Sequence, residues 1–324
     1  MSKTSTELGL IRHALNGPTM GTRWTALFHA APGFDPAPVR AALQAAVDEV
    51  DNQMSAWKPD SDLNRLSAAP VGEWVDVPHH LLAVLRLGLA VGLASGGAFD
   101  IGLGDAVNAW GFGPGQASAS LMSAALTAAR RPAHEVLELG EGRVRKLAPL
   151  VLDLNGIAKG YGADRLTETL RLAGIASGLT GIDGEMRAMG LRPDGAPWAI
   201  AVEAPDPARR AAHTVLELED AAVATSGDYR HWIAFRGRRL SHTIDPRRGA
   251  PLEESPASVT VVAGSCAEAD AWATALMVLG AARGAALAGR YGLDALFLVR
   301  DGQGGLQALP VGKLFAASVE DTLS

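Results

Sequence analysis

The chain has 324 residues, 48% of them hydrophobic, and a formal charge of −6, enough to bury a large core as one domain or two. No dense Lys/Arg run is present, which argues against a nucleic-acid-binding surface. A single cysteine, Cys266, excludes an intramolecular disulfide.

The start, Met1 to His13, has no apolar signal core and no cysteine for lipidation, so a cytoplasmic chain with a flexible N-terminus over 1–15 is expected. Alternation of Trp24, Ala26 and Phe28 predicts a strand over Thr22–His29. Val39, Leu43, Ala46, Val47, Val50 and Met54 recur at helical spacing after prolines that suit a helix start. Leu81–Ser95 reads as a buried helix stopped by Gly96-Gly97. Its apolar stretch is interrupted by Arg86, Gly88 and Gly92 and is shorter than the roughly 20 residues of a membrane span, which points to a soluble protein. Ser118–Arg130 reads as a further helix, ended by Pro132.

Past His134 the pattern predicts a hairpin, Val136–Leu139 with Arg143–Leu147, then a short strand Val151–Leu154 and a helix Ile157–Leu172 ended by Gly174. Short strands follow: Trp198–Glu203, Thr214–Leu218, Trp232–Phe235, Arg239–Thr243 and Ser258–Val262. Helices over Glu268–Leu279 and Ala281–Tyr291 precede a last strand, Ala295–Val299. Without βαβ alternation, the class is α+β, and with no linker or repeat it is one compact unit over 16–318.

Two segments carry the strongest chemical signal. Asp153-Leu-Asn-Gly-Ile-Ala-Lys-Gly-Tyr161 reads as a strand end entering a helix, with Gly156 where a phosphate can approach. Asp153 suits a ligand ring or ribose, or a helix cap. Lys159 in a first helical turn runs against the helix dipole unless an anion lies nearby, although a solvated lysine is the ordinary outcome. In Ala269-Asp-Ala-Trp-Ala-Thr-Ala275, Asp270 and Thr274 share one helix face. An Asp, a Thr and a carbonyl suffice for magnesium, which completes its shell with water and substrate phosphates. A dipole-favoured Asp in a first turn is the alternative. His242, before Asp245-Pro246, is a candidate general base or a structural histidine. Thr225-Ser-Gly-Asp-Tyr229 wraps a phosphate or merely links strands. Thr19-Met-Gly-Thr22, Met54-Ser-Ala-Trp57 and Gly96-Gly-Ala-Phe-Asp100 pair large soft or aromatic side chains with small ones, as flat ring ligands and ordinary cores both require.

In order, Met20-Gly-Thr22, Met54–Trp57 with Asp60–Asn64, Gly97–Asp100 with Trp110–Gly113, Leu152–Tyr161 with Asp164, Ala224–Asp228, Ser241–Pro246 with Gly249, and Asp270–Thr274 with Leu279-Gly280 resemble the ApbE family, magnesium-dependent FAD:protein FMN transferases. The resemblance runs from about Gly17 to the last strand. It implies a T-fold-like unit with helices packed on a mixed, largely antiparallel sheet. Met20, Trp57, Ala98, Phe99, Asp100, Asp153, Lys159 and Ile244 match positions that contact FAD. Gly156 (through its carbonyl), Asp270 and Thr274 match the magnesium ligands. The resemblance implies transfer of FMN from FAD to a Thr or Ser hydroxyl of a target flavoprotein, with release of AMP; Asp270, as a metal ligand, and His242, as the candidate base read from the residues, are the expected catalytic residues. A magnesium-dependent FAD hydrolase giving FMN and AMP, and a non-catalytic FAD carrier, are the alternatives. The chain departs from the family at Ala273, where some relatives are acidic, and at Asp183, where two adjacent glycines are usual and the local backbone is therefore in question. Relatives are often exported; the absence of a leader here underlies the cytoplasmic expectation.

Overall fold

In a computed structural model, residues 9–206, 209, 211–229, 232–235, 238–301 and 305–320 are described. Their frame is an eight-stranded sheet in the order Ile11–Thr19, Thr22–Ala30, Gly178–Ile182, Glu185–Met189, Ala222–Gly227, Ser258–Ala263, Asp294–Arg300 and Leu306–Val311. Every described neighbour pair is antiparallel, which agrees with the expected α+β class.

Strand periodicity divides the core in two. Trp24, Ala26 and Phe28 face Val39, Leu43, Val47, Leu166 and Leu170 of the helices Ala37–Met54 and Ala158–Leu172. Val259, Val261, Ala295 and Phe297 face the helices Cys266–Tyr291 and His79–Ala94 on that same side. The intervening Leu296 and Leu298 point the other way, onto Trp198, Ile200, Leu216 and Phe315. Those residues belong to the ribbon Trp198–Glu203/Ala212–Leu218 and the helix Lys313–Glu320. The sheet is thus covered on both faces. A hairpin, Leu137–Leu139 with Arg143–Lys146, is joined by Trp74–Asp76, and Ala119–Thr127 forms the expected Ala/Ser-rich helix.

The structure corrects three expectations. The strand Ile11–Thr19 takes in residues 11–15, expected as flexible; residues 1–8 lie outside the described set. Val151–Leu154 is no strand, because its backbone bonds go to separate places: Gly104 N–H to Val151 O (3.0 Å), Leu152 N–H to Ser67 Oγ (3.1 Å), Asp153 N–H to Ile101 O (2.9 Å). Asp294–Arg300 is followed by one more strand and a helix, so it is not the last element. The two late helices stand as expected: within Cys266–Tyr291 the helical backbone breaks between them at Gly280, whose φ is 75°. Among the described residues this helix alone has the length and hydropathy of a membrane span, yet it lies against the sheet and buries Asp270.

Candidate active site

The twelve residues expected to hold FAD, magnesium or the reacting proton all line one cleft of about 1330 Å³. It is larger than the ~300–1,000 Å³ usual for a single small ligand.

One wall is built where two helices cross. Gly160, in the first turn of Ala158–Leu172, touches the start of Cys266–Tyr291 so closely that a Cβ there would collide with the Cys266 carbonyl. The contact lets Gly160 N–H donate to Asp270 Oδ2 at 3.1 Å. Asp164, one turn on, accepts from the N–H groups of Cys266 (2.8 Å) and Ala267 (2.9 Å) and from Arg187 Nη1 (3.0 Å). It therefore satisfies the orphan donors of the second helix and fixes its position. Asp270 sits one turn beyond that N-terminus, with only 5% of its surface exposed. Burial first, then repulsion from Glu185, hold its carboxyl well above the ordinary range, against the pull of Lys159 and the Gly160 N–H. Such a carboxylate is one that a cation would stabilise. Thr274, a turn later, lies against Gly156: a Cβ on Gly156 would stand 2.9 Å from Thr274 Oγ1.

Lys159 Nζ pairs with Glu185 Oε1 at 2.8 Å and with Asp183 Oδ2 at 3.4 Å. These carboxylates are the anions that its place in a first helical turn requires. Burial works against its charge, but Glu185, Asp270 and Asp183 outweigh it and keep the ammonium pKa above its usual value. Asp183 departs from glycine yet takes a glycine-like conformation, φ 61°, at the tip of the hairpin that joins Ile182 to Glu185. The backbone turn is retained, and a carboxylate is added to the cleft. Asp153 forms no helix cap. It accepts from Asn155 N–H (3.1 Å) and Asn155 Nδ2 (2.8 Å) in a turn of its own, and burial raises its pKa to about 6.

Other residues that line the cleft are suited to a flat ring. Met20 occupies a two-residue hairpin tip with φ 46°, beside Gly21 at 71°. Gly96 and Gly97, at φ 64° and 78°, reverse the chain after the helix His79–Ala94 and return Ala98, Phe99 and Asp100 to the cleft. Asp100 Oδ1 accepts from Gly102 N–H (2.8 Å) and Ala133 N–H (3.1 Å), and burial raises its pKa. Trp57 is 60% exposed, unusual for its type, on a loop to which one side chain bonds three times. Asn64 Nδ2 donates to the carbonyls of Ala56 (3.0 Å), Lys58 (2.8 Å) and Ser55 (3.4 Å). His242 and Ile244 close the rim, the imidazole edge-on to Phe112 with centroids 6.4 Å apart.

Glu185, which lines the cleft, is a residue that sequence reasoning did not select, because its partner Lys159 lies across the fold. Ser226 was signalled only as a member of the Thr225–Tyr229 segment, and Asn64, which supports the cleft from outside, only as the end of a motif. Trp110 and Gly249, also motif members, serve the scaffold: the indole N–H of Trp110 donates to Gly249 O at 2.9 Å. Among the described residues no three His, Cys, Asp or Glu side chains form a metal cluster. A cation here would rest on the mixed oxygen set of Gly156, Asp270 and Thr274.

Comparison with known proteins gives a consistent result. The ApbE family profile matches residues 20–297. A FAD:protein FMN transferase of Vibrio cholerae is 36% identical over 294 residues, 90% of this chain and 88% of the relative. That of Escherichia coli K12 is 32% identical over 305 residues, 89% and 84% of the two chains. The apo crystal structure of the Pseudomonas stutzeri flavinyl transferase ApbE superimposes with a TM-score of 0.83 at 39% identity, covering 95% of this chain and 97% of that one. With the family profile, the identity over nine-tenths of its length and the fold all in agreement, this chain belongs to the ApbE family.

Proposed function

We propose that the chain is a FAD:protein FMN transferase that moves FMN from FAD to a threonine or serine hydroxyl of a target flavoprotein and releases AMP. The observation that carries this reading is the convergence of all twelve expected residues on one cleft, soft and aromatic groups beside an oxygen-rich set. The names of the similar proteins support it.

Met20, Trp57 and Ala98 to Phe99 hold the isoalloxazine, and Asp153 hydrogen-bonds the dinucleotide. Gly156 O, Asp270 and Thr274 Oγ1 would hold magnesium, whose contribution is neutralisation of pyrophosphate charge. The buried Asp270 carboxylate fits that role, since an unpaired anion there is costly. Lys159, already balanced by Glu185 and Asp183, serves more to set the field of the site than to supply free positive charge. The acceptor hydroxyl oxygen attacks the FMN-side phosphorus. A new P–O bond forms, the P–O bond to the bridging oxygen breaks, and AMP departs with that oxygen. His242, on the rim, takes the hydroxyl proton. Phosphoryl transfer of this kind depends on positioning and charge neutralisation.

The test is incubation with FAD, magnesium and a co-encoded flavoprotein, read by mass spectrometry for FMN on the acceptor and AMP in solution. Asp270→Ala is expected to abolish transfer nearly completely with the fold intact. AMP without an FMN adduct would establish the hydrolase, intact FAD the carrier, and full transfer by Asp270→Ala would remove the magnesium assignment.

A further inference from the structure

Threonines inside helices normally return their hydroxyl to a carbonyl one turn back. Three here do so: Thr127 Oγ1 donates to Ser123 O (3.0 Å), Thr167 Oγ1 to Ala163 O (3.2 Å) and Thr169 Oγ1 to Arg165 O (2.8 Å). Thr274 behaves differently. Its Oγ1 lies 3.2 Å from Ser226 Oγ, on a strand 48 residues earlier in the chain. On its other side is the Gly156 turn, at a distance a single methyl would fill. The Thr274 hydroxyl is therefore turned off its own helix into a slot between a strand and a turn.

A hydroxyl has one proton and two lone pairs. To face a cation it must present a lone pair, so its proton has to go elsewhere. Ser226 Oγ stands where that proton can be received. Ser226 is itself firmly placed. Its strand is laddered to Ser258–Ala263 with Ser226 opposite Val259, and the preceding Thr225 Oγ1 bonds Thr260 Oγ1 at 2.9 Å. Two residues on, Asp228 is held by the two terminal guanidinium nitrogens of Arg300, each at 2.7 Å.

We propose, resting on the transferase reading, that Ser226 is a positioning residue of this site: Ser226 Oγ accepts the Thr274 proton and so aims a Thr274 lone pair at the magnesium ion. This gives the Thr225–Tyr229 turn a role that is neither phosphate wrapping nor simple linkage. Partners that orient metal ligands are commonly worth about 10–100-fold in metal affinity.

Magnesium chloride titrated calorimetrically into the FAD-loaded full chain, without acceptor, reads the effect directly. Ser226→Ala is expected to raise the magnesium dissociation constant at least about tenfold. Ser226→Thr, which keeps a hydroxyl, should restore it to within a few-fold of the parent. Melting temperatures without magnesium should stay close to the parent's, because the pair is neutral and partly buried. A double-mutant cycle supplies the second measurement: once Thr274→Ala is made, adding Ser226→Ala should cost no further magnesium affinity. An unchanged magnesium constant in Ser226→Ala, or an equal additional loss on the Thr274→Ala background, overturns the inference while the transferase reading stands. A parent protein that binds no magnesium with FAD overturns both.

Discussion

Trp57 shows how the cleft departs from ordinary packing. A tryptophan 60% exposed gains little from burial within the chain, yet Asn64 commits its side-chain NH2 to three carbonyls of the loop that presents it. A ring platform accounts for both facts. Trp57→Ala should weaken FAD binding about tenfold, since an aromatic contact is worth about 0.5–1.5 kcal/mol beyond its area. Transfer at saturating FAD should fall far less, because stacking acts on ground and transition states alike. An unchanged FAD constant by fluorescence titration would mark Trp57 as scaffold. For His242 the split runs the other way. If the imidazole takes the acceptor's proton, His242→Asn should slow transfer by about a hundredfold or more with FAD affinity nearly unchanged. The rising limb of the pH–rate profile should vanish with it. A loss confined to FAD affinity would instead mean that the ring only orders the Ile244–Asp245 turn.

Between elements, the crossing at Gly160 decides the geometry of the oxygen-rich wall. Gly160→Ala sets a methyl against backbone atoms of Cys266 and Ala267, which cannot move aside as a side chain would. A destabilisation of about 1–3 kcal/mol is expected, as for overpacked cores, with magnesium-dependent FAD binding lost alongside. Denaturant unfolding measures the first, and a wild-type midpoint would show that the helices part freely. The sequence discloses such helices well: the stripe from Val39 to Met54 and the Gly96-Gly97 stop both correspond to elements. Strands were legible where one face is wet, as in Trp198–Glu203, whose burial alternates. Among strands covered on both faces, Ser258–Ala263 and Asp294–Arg300 were still legible as runs of apolar and β-branched residues. Gly178–Ile182, buried at every position with two glycines, and Ala222–Gly227, where Ala, Ser and Gly dilute Val223 and Thr225, were not. Val151–Leu154 misled for the converse reason, being apolar and extended without a ladder partner. The site was legible through its ordered motifs, whereas the Lys159–Glu185 and Thr274–Ser226 pairs depend on tertiary proximity alone.

At the scale of the molecule, the cleft concentrates carboxyls that folding makes harder to ionise. Asp153 is the clearest, raised by burial to about 6. Between its ordinary value near 4 and about 6 the folded state binds more protons than the unfolded one. Its stabilising contribution is therefore complete below about pH 4 and is lost as pH rises through 6. Melting of the ligand-free protein should reveal this as a decline across that interval, shallower in Asp153→Asn; equal slopes would remove Asp153 as the source. The sheet has a further consequence for how the chain is made. Thr22–Ala30 pairs with Gly178–Ile182, and residues 31–177 lie between them. At a synthesis rate of ~5–20 residues per second, the opening hairpin waits about 7–30 s for its neighbour. During that interval one side of Thr22–Ala30 offers unpaired backbone groups to any passing strand, so nascent copies of this protein should need a holding chaperone more than the finished fold does.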